Sequence, residues 1–365
     1  MFKFKNVSMG LIILWLISMN FANSYAGEVA LYRGNLERTG VFSSSALKEP
    51  VEIKWRFKAK GEISSSPVAH EGVVYFGSYD GNLYALDANS GEEKWRFDTG
   101  DWIRSSVAVF GEKVYFGSRD GNFYALSAKT GKEIWRYHIG DWIISSPAAY
   151  EGVVYFGNGG AFYALDALNG ELRWKVETGL AVWASPAIYK GIVYFGSFNK
   201  SFYAVDAKTG EEIWKFKAGS QIESSPAIVE DIVYFVSRDG GLYALDTATG
   251  REEWRFKVDA EIITSPVIFK DIIYFGTNKG LCAVDIKMSR EKWRFNVGTW
   301  VHSSPAIAGG VLYFGGYGIF YALDSSDGRV LWTFEMAKGS TFSSPSVYDG
   351  VIYFGAVDYS LYAFE

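Results

Sequence analysis

The side chains that most often carry catalysis or hold metal ions are scarce in this sequence of 365 residues. It contains three histidines, His70, His138 and His302, and one cysteine, Cys282. Three scattered histidines are too few for a multi-histidine metal site, and a single cysteine cannot form an intramolecular disulfide. We therefore predict no metal site. We expect Cys282, which stands where the other repeats have tyrosine, to be a packed residue.

Paired carboxylates are the next candidates for chemistry, because two acids can divide the acid and base roles of a hydrolase. Adjacent acids occur at Glu92-Glu93, Glu211-Glu212 and Glu252-Glu253. Since they recur at the same turn of a repeat, a solvated turn explains them better than an active site. The sequence also has no Gly-x-Ser-x-Gly nucleophile turn and no phosphate-binding loop. We predict no catalytic residue and a protein that is not an enzyme.

Tryptophan offers another kind of chemistry, the recognition of a partner by aromatic rings. Eight segments align on a Ser-Pro motif, with Val107 in place of one proline. The residue four before this position is isoleucine or valine in every segment except at Thr341, whereas the residues three and five before it vary. Four tryptophans fall on these two variable positions: Trp102, Trp142, Trp183 and Trp300.

The elements that must position these residues come from one repeat, which fills almost the whole chain. Eight further tryptophans recur at intervals of 39 or 40 residues: Trp55, Trp95, Trp135, Trp174, Trp214, Trp254, Trp293 and Trp332. Each unit shows Ser-Pro, an apolar stretch, Tyr-Phe-Gly, Tyr-Ala-Leu-Asp and Gly-x-x-x-Trp, with few departures. This pattern predicts four short strands joined by tight turns, and units of this length are typical of β-propellers.

The two ends of the chain decide between an open stack and a closed ring. The first unit begins with a lone strand, Val51 to Phe57, and the last unit ends after its third strand. Pairing these ends completes an eighth blade and leaves no unpaired edge. We therefore predict an all-β, eight-bladed β-propeller of four-stranded antiparallel blades, closed by the N-terminal strand. Trp55 should lie in one sheet with Tyr353 and Tyr362.

In such a ring, the segment before each innermost strand lies at the mouth of the central channel. Because strand side chains alternate, the uniform residue should face the core, and the two variable residues should face the channel and its mouth. We predict a binding patch there, formed by Trp102, Arg104, Trp142, Trp183, Glu223, Glu261, Trp300 and His302. The alternative is that these tryptophans cover the blade tops and only pack on adjacent loops.

The segments from Ala85 to Trp95 and from Ala204 to Trp214 resemble the tryptophan-docking motif of the pyrroloquinoline-quinone (PQQ) propeller repeat family. The resemblance covers residues 51–365. It implies that the eight recurrent tryptophans are structural docking residues that join neighbouring blades. In two units Ser127 replaces the aspartate of the motif and Arg290 replaces the glycine, and we expect those corners to be looser.

Quinoprotein alcohol and glucose dehydrogenases are similar in these motifs. For such enzymes the resemblance implies a quinone held with calcium by non-repeated loops, and in some a disulfide of adjacent cysteines. This chain has one cysteine, no Cys-x-x-Cys-His haem motif and no insertion between its repeats. We predict that it binds no cofactor, and a PQQ-dependent or quinoprotein-like dehydrogenase is kept as an alternative.

The N-terminus has the pattern of an export signal, with Lys3 and Lys5 before an apolar run from Gly10 to Phe21 and small residues at Ser24 and Ala26. An uncleaved membrane anchor is the alternative. No cysteine follows the signal, so a lipid anchor is not expected. The predicted organisation is a signal peptide at 1–26, a lead-in segment at 27–50, similar over Glu28 to Gly40 to that of exported relatives, and the propeller at 51–365.

The net charge and the predicted export signal limit the possible functions. Loss of the two signal-peptide lysines takes the formal net charge from −5 to −7, and an acidic protein is not expected to bind nucleic acid. We predict a monomeric periplasmic or secreted scaffold, without a transmembrane span after processing, that binds a protein partner at one rim. It resembles the outer-membrane-assembly propellers of the BamB type. The alternatives are the dehydrogenase named above and an extracytoplasmic sensor of glycans or small ligands.

Overall fold

The computed structural model describes residues 29–49, 51–340 and 342–365. The predicted signal peptide at 1–26 lies outside the described residues. The first two residues of the lead-in segment, 27 and 28, also lie outside them, and so do two single positions, Pro50 and Thr341. The described chain forms eight β-sheets in a ring, each built from four antiparallel strands of the repeat. The predicted fold class is confirmed. In this part of the chain no helix is long and apolar enough to cross a membrane.

The eight sheets are blades 1 to 8 in chain order, and each runs from the central channel to the outer surface. The innermost strands are Val68–His70, Ala108–Phe110, Ala148–Tyr150, Ala187–Tyr189, Ala227–Val229, Val267–Phe269, Ala306–Ala308 and Ser346–Tyr348. The second strands are Val73–Gly77, Lys113–Gly117, Val153–Gly157, Ile192–Gly196, Ile232–Val236, Ile272–Thr277, Val311–Gly315 and Val351–Gly355. The third strands are Asn82–Asp87, Asn122–Ser127, Ala161–Asp166, Ser201–Asp206, Gly241–Asp246, Gly280–Asp285, Tyr317–Asp324 and Ser360–Phe364. The outermost strands are Glu93–Asp98, Glu133–His138, Leu172–Glu177, Glu212–Lys217, Glu252–Lys257, Arg290–Phe295, Val330–Ser340 and Ile53–Lys58.

Blade 8 is assembled from both ends of the chain. The strand Ile53–Lys58 pairs antiparallel with Ser360–Phe364, which pairs in turn with the second strand of the blade. Trp55, Tyr353 and Tyr362 therefore lie in one sheet, and the predicted closure is confirmed.

Close packing between blades explains why the repeat keeps both its uniform aliphatic residue and the glycine of Tyr-Phe-Gly. The aliphatic residues four before the proline position are at most 1% exposed in the seven segments described: Ile63, Ile103, Ile143, Val182, Ile222, Ile262 and Val301. In blade 1 a Cβ on Gly77 would come within 2.3 Å of the Ile103 side chain. In this blade only glycine allows the approach, whereas blade 5 holds a buried Val236 at the same position. The burial of the aliphatic residues confirms the core-facing position predicted from alternation.

Each recurrent tryptophan except Trp332 projects from an outermost strand toward the corner between the third and outermost strands of the next blade. The Trp214 indole is buried, and its Nε1 donates to the carbonyl of Thr247 at 2.8 Å. The same carbonyl accepts the Tyr194 hydroxyl at 3.1 Å. A Cβ on Gly250, which has a φ of 70°, would lie 2.5 Å from the indole ring. The glycine of the motif therefore serves both the turn and the flat contact with the indole.

The two exceptional corners differ from each other. At the corner with Ser127 the Trp95 Nε1 still donates to the carbonyl of Ala128 at 2.9 Å, but the two backbone N–H groups that Asp87 accepts in blade 1 have no counterpart on the Ser127 side chain, so the expected looseness stays a prediction. In blade 6 the assignment of Arg290 is wrong. The residue four before the tryptophan, where the other repeat corners have glycine, is Ser289, and it has the left-handed φ of 47°. Among the described residues the Nε1 of Trp254 has no hydrogen-bond acceptor at this corner, but the buried Nε1 of Trp293 has none at the regular corner of blade 7 either, so the expected looseness of this corner stays a prediction.

The lead-in segment runs through the central channel. Its strand Val29–Leu31 pairs antiparallel with the innermost strand of blade 2, and Val41–Phe42 pairs in parallel with that of blade 7. Between them, the carbonyls of Leu36, Glu37 and Thr39 accept backbone N–H groups from the innermost strands of blades 4, 5 and 6. The segment thus contacts most of the ring from inside.

The same segment completes the junction between blades 7 and 8. Since the outermost strand of blade 8 comes from the N-terminal part of the chain, no repeat corner faces Trp332. The carbonyl of Leu47 takes its place and accepts the Trp332 indole at 2.9 Å and the Tyr313 hydroxyl at 3.2 Å.

Candidate functional site

The serines of the Ser-Pro motif form a closed circle of hydrogen bonds around the channel axis. In every blade the backbone N–H of this serine donates to the Oγ of the next one, at 2.8–3.1 Å. The members of this serine ring are Ser66, Ser106, Ser146, Ser185, Ser225, Ser265, Ser304 and Ser344. Its last bond, from Ser344 to Ser66, crosses the junction between the chain ends. The ring therefore fixes the segments on which the predicted site residues lie.

The lead-in segment closes the channel below the serine ring. The Tyr32 hydroxyl lies 3.4 Å from the Oγ atoms of Ser304 and Ser344. Arg33 donates to the backbone of blade 6, and Arg38 donates to the carbonyls of Pro147 and Pro186 at 2.8 and 2.9 Å. Both guanidinium groups are buried, and neither forms an ion pair with a carboxylate in the described chain. Burial lowers the pKa of Arg38 to about 9, with an opposing effect of Tyr32 and a further lowering by Arg33, so it is charged at pH 7.

Above the serine ring lies a cavity of about 310 Å³, which we call the bowl. Its wall is the row of residues three before the proline position: Ser64, Arg104, Ile144, Trp183, Glu223, Ile263, His302 and Phe342. Tyr32, Arg238 and the serines complete the lining. Of the eight residues predicted to form a patch, the structure brings Arg104, Trp183, Glu223 and His302 together here.

Two other predicted residues, Trp102 and Trp142, lie farther from the axis in a stack that we call the ladder, together with Tyr79 and Arg119. Tyr79 stacks on Trp102 with ring centroids 4.5 Å apart and planes 1° apart. The Arg119 guanidinium lies 4.5 Å from the Trp102 ring and 4.0 Å from the Trp142 ring. The tryptophans remain 44% and 47% exposed. The ladder therefore combines packing on neighbouring loops with an open aromatic surface across blades 1 to 3.

A second chain of contacts leads from the rim into the bowl. Trp300 stacks on His302 with centroids 5.5 Å apart, and His302 contacts the Phe342 ring at 4.7 Å. The Arg104 guanidinium lies 5.2 Å from the same phenylalanine ring. Burial, together with the charge of Arg104, lowers the pKa of His302. The imidazole is thus neutral at pH 7, and its Nδ1 has no hydrogen-bond partner among the described residues.

Of the remaining predicted residues, Trp183 and Glu223 line the bowl and Glu261 lies beyond it. The Trp183 ring contacts Phe198 at a centroid distance of 4.6 Å. The Glu223 carboxylate is ion-paired with Arg238, with 2.5 Å between Oε1 and Nε, although Oε1 receives no hydrogen bond of acceptable geometry from the described residues. Glu261 is exposed and does not line the bowl; it lines a neighbouring surface cleft that shares Arg238 with the bowl.

Several residues that contact the predicted patch are not themselves predicted from the sequence, although the alignment of the eight repeats contains a signal for them. Tyr79, Arg119, Phe198 and Arg238 all lie two residues after the end of a second strand, on the hairpin at the upper face of a blade. This position varies from blade to blade, as the two predicted positions do. The hairpin row and the predicted rows meet at the rim because both connections lie on one face of the ring.

The donor set of the bowl does not fit a quinone held by calcium. Glu223 is the one carboxylate among the described residues that line the bowl, and Arg238 already neutralises it. Calcium requires six to eight oxygen ligands, usually with several carboxylates. In the described chain no three or more histidine, cysteine, aspartate or glutamate side chains are grouped so that they could hold a metal ion. Cys282 is buried in the core, with a pKa raised to about 12 chiefly by burial, and is unsuited to redox chemistry at the surface.

Comparison with protein families gives matches along nearly the whole propeller. The profile described as outer membrane protein assembly factor BamB matches residues 45–102, 89–200, 163–299 and 283–365. A comparison with curated individual proteins gives no match.

Solved structures of different activities share the fold. BamB from Moraxella catarrhalis is 18% identical, with a TM-score of 0.76 over 87% of this chain and 100% of that one. Quinohemoprotein alcohol dehydrogenase from Comamonas testosteroni is 16% identical, with a TM-score of 0.80 over 95% of this chain and 82% of that one. The computationally designed protein Ika8 is 18% identical, with a TM-score of 0.75 over 84% and 97%. At such identities these likenesses establish the fold and leave the function to the site.

Proposed function

The chain belongs to the family of the outer membrane protein assembly factor BamB, and on this premise we propose that it is a non-catalytic scaffold of the cell envelope that binds a protein partner at its upper rim. The observation that carries the proposal is the ladder. Half-exposed tryptophans held rigid by neighbours are typical of recognition surfaces, because burying them costs little conformational entropy.

The expected location rests on the sequence and on the family. The export pattern of residues 1–26 and the family relationship both support a periplasmic or secreted protein. Its acidic net charge favours a protein partner over nucleic acid. We expect the propeller itself to be monomeric.

The test is partner capture from native envelope extracts, followed by mass spectrometry. The double variant Trp102→Ala, Trp142→Ala should lose partners that the wild type retains, with an unchanged circular dichroism spectrum. The matched control removes two exposed leucines at a corner on the opposite face, Leu168→Ala and Leu172→Ala, and should keep them. Equal capture by all three proteins would contradict the proposal, and a glycan array probed with the same variants would detect the sensor alternative.

A quinoprotein dehydrogenase is the second candidate, since similar structures include such an enzyme. The donor set of the bowl argues against it. Incubation with PQQ and Ca²⁺, followed by absorbance spectroscopy and a dye-coupled alcohol oxidation assay, decides the matter. Retention of the quinone with activity would replace the scaffold proposal.

A further inference from the structure

Five of the eight members of the serine ring present hydroxyl groups that lack acceptors among the described residues. Each Oγ accepts a backbone N–H, which occupies the oxygen but leaves the O–H group free to donate. Tyr32 contacts the serines of blades 7 and 8. In the described chain the hydroxyls of blades 1 to 5 donate to no protein group; these belong to Ser66, Ser106, Ser146, Ser185 and Ser225. The bowl therefore has a floor of donors that calls for an acceptor.

The charges around this floor are positive. Arg33 and Arg38 lie buried beneath the ring without a carboxylate among the described residues, and Arg104 lies on the wall above it. The Glu223 carboxylate is held by Arg238, so this pair adds no net charge. Charges in a partly enclosed cavity are screened less than charges on a surface. An anion in the bowl would therefore be attracted by all three arginines that have no carboxylate beside them.

The rest of the wall is apolar. Ile144, Trp183, Ile263 and Phe342 face the cavity, and its volume of about 310 Å³ is at the lower end for small-molecule sites. These walls suit a single charge attached to an apolar group. A multiply charged phosphate would bring more charge than the one guanidinium on the wall can pair with directly.

We propose that the bowl binds the carboxylate of an apolar or aromatic acid, with its oxygens toward the serine hydroxyls and Arg104 and its apolar part against Trp183 and Phe342. The acid can be a free molecule or the C-terminal residue of a polypeptide, since both carry the same group. This inner site does not require the ladder, and it holds whether or not the rim captures a protein.

The test is isothermal titration calorimetry with phenylacetate, with neutral phenylacetamide as the isosteric control. The acid should bind at least tenfold more tightly than the amide, because hydrogen bonds to an ionised acceptor are shorter and stronger than those to a neutral one. Arg104→Gln should weaken phenylacetate about tenfold, whereas the matched variant Arg119→Gln, which removes the same charge from the ladder, should change it by less than about twofold. Glu223→Gln should strengthen binding, a gain that damage to the fold cannot produce. Equal affinity for acid and amide, or equal effects of the two arginine variants, would overturn the proposal.

The two sources are separated by peptides. A tripeptide ending in phenylalanine with a free C-terminus should compete with phenylacetate if the bowl takes chain ends, and its C-terminal amide should not. If only the free acid binds, the source is a small molecule, and the site stands. A crystal soaked with 4-bromophenylacetate locates the ligand, and bromine density anywhere outside the bowl would refute the assignment. Partner capture by the ladder variants is measured separately, so the two proposals fail independently.

Discussion

Tryptophans at the blade corners and tryptophans at the rim are the same side chain in two different regions of this molecule. At a corner, Trp214 is 8% exposed, donates to a backbone carbonyl and lies flat on a glycine. At the rim, Trp102 is 44% exposed and is held by one stacked tyrosine and one arginine. The difference indicates that corner tryptophans stabilise the ring, whereas rim tryptophans are available for another molecule.

Removal of a corner tryptophan is the largest expected effect and tests the first half of the comparison. Trp214→Ala should lower the free energy of unfolding by about 3–5 kcal/mol, because it opens a cavity between two blades and removes an indole hydrogen bond. Chemical denaturation followed by circular dichroism measures the change. An unchanged midpoint would mean that the corners do not hold the blades together.

The corner of blade 6 sharpens the comparison, because its tryptophan has some features of the rim. Trp254 is only partly buried, and among the described residues its Nε1 finds no acceptor. Trp254→Ala should therefore cost about 1–2 kcal/mol less than Trp214→Ala. Chemical denaturation of the two variants under the same conditions shows which of them loses more free energy of unfolding. Equal losses would show that the missing hydrogen bond is unimportant.

Ser289 lies at the same corner and allows a gain in stability instead of a loss. A residue with a side chain at a φ of 47° is strained, and glycine relieves this strain. Ser289→Gly should raise the free energy of unfolding by about 1 kcal/mol, measured by the same denaturation curves. Ser127→Gly, at the other exceptional corner, is the control and should give no gain.

The fold could be predicted from the sequence because its evidence is repeated eight times. Trp55 and Leu361 reveal the ring closure, since the strand missing at one end is present at the other. The path of the lead-in segment could not be predicted, because Tyr32 to Gly40 has no counterpart in the repeat. Arg33 and Arg38 look like surface residues by type, and only the three-dimensional arrangement of Ser-Pro carbonyls makes their burial possible.

The candidate site could be predicted in part, for a related reason. Alternation along a strand places Arg104 and Trp183 on the channel side, and this follows from spacing alone. The division into a bowl and a ladder depends on distances between blades, which spacing does not contain. Arg119 could not be paired with Trp142 from the sequence, because they belong to different blades and meet only across the curvature of the ring.

The rim half of the comparison predicts a small change in stability. Trp102→Ala combined with Trp142→Ala should lower the free energy of unfolding by about 1–2 kcal/mol, because both side chains are already half in water and lose mainly the stack on Tyr79 and the two cation–π contacts with Arg119. Thermal unfolding measures it. A loss as large as that of Trp214→Ala would show that the ladder is a structural element and would remove the reason to regard it as a recognition surface.

The smallest expected effect concerns His302, which joins the rim to the bowl. Burial and the positive charge of Arg104 both disfavour the imidazolium, so the pKa of His302 should lie below that of an exposed histidine. Arg104→Gln removes the charge of Arg104 and should raise the pKa of His302, whereas Arg119→Gln should leave it unchanged. Two-dimensional NMR of the imidazole resonances against pH measures both shifts. Because the lowered pKa makes protonation favour the unfolded chain, the stability that neutral His302 contributes is present above the pKa of an unfolded histidine and declines as the pH falls. A pKa of His302 that is insensitive to Arg104 would mean that the two side chains do not share the bowl in solution.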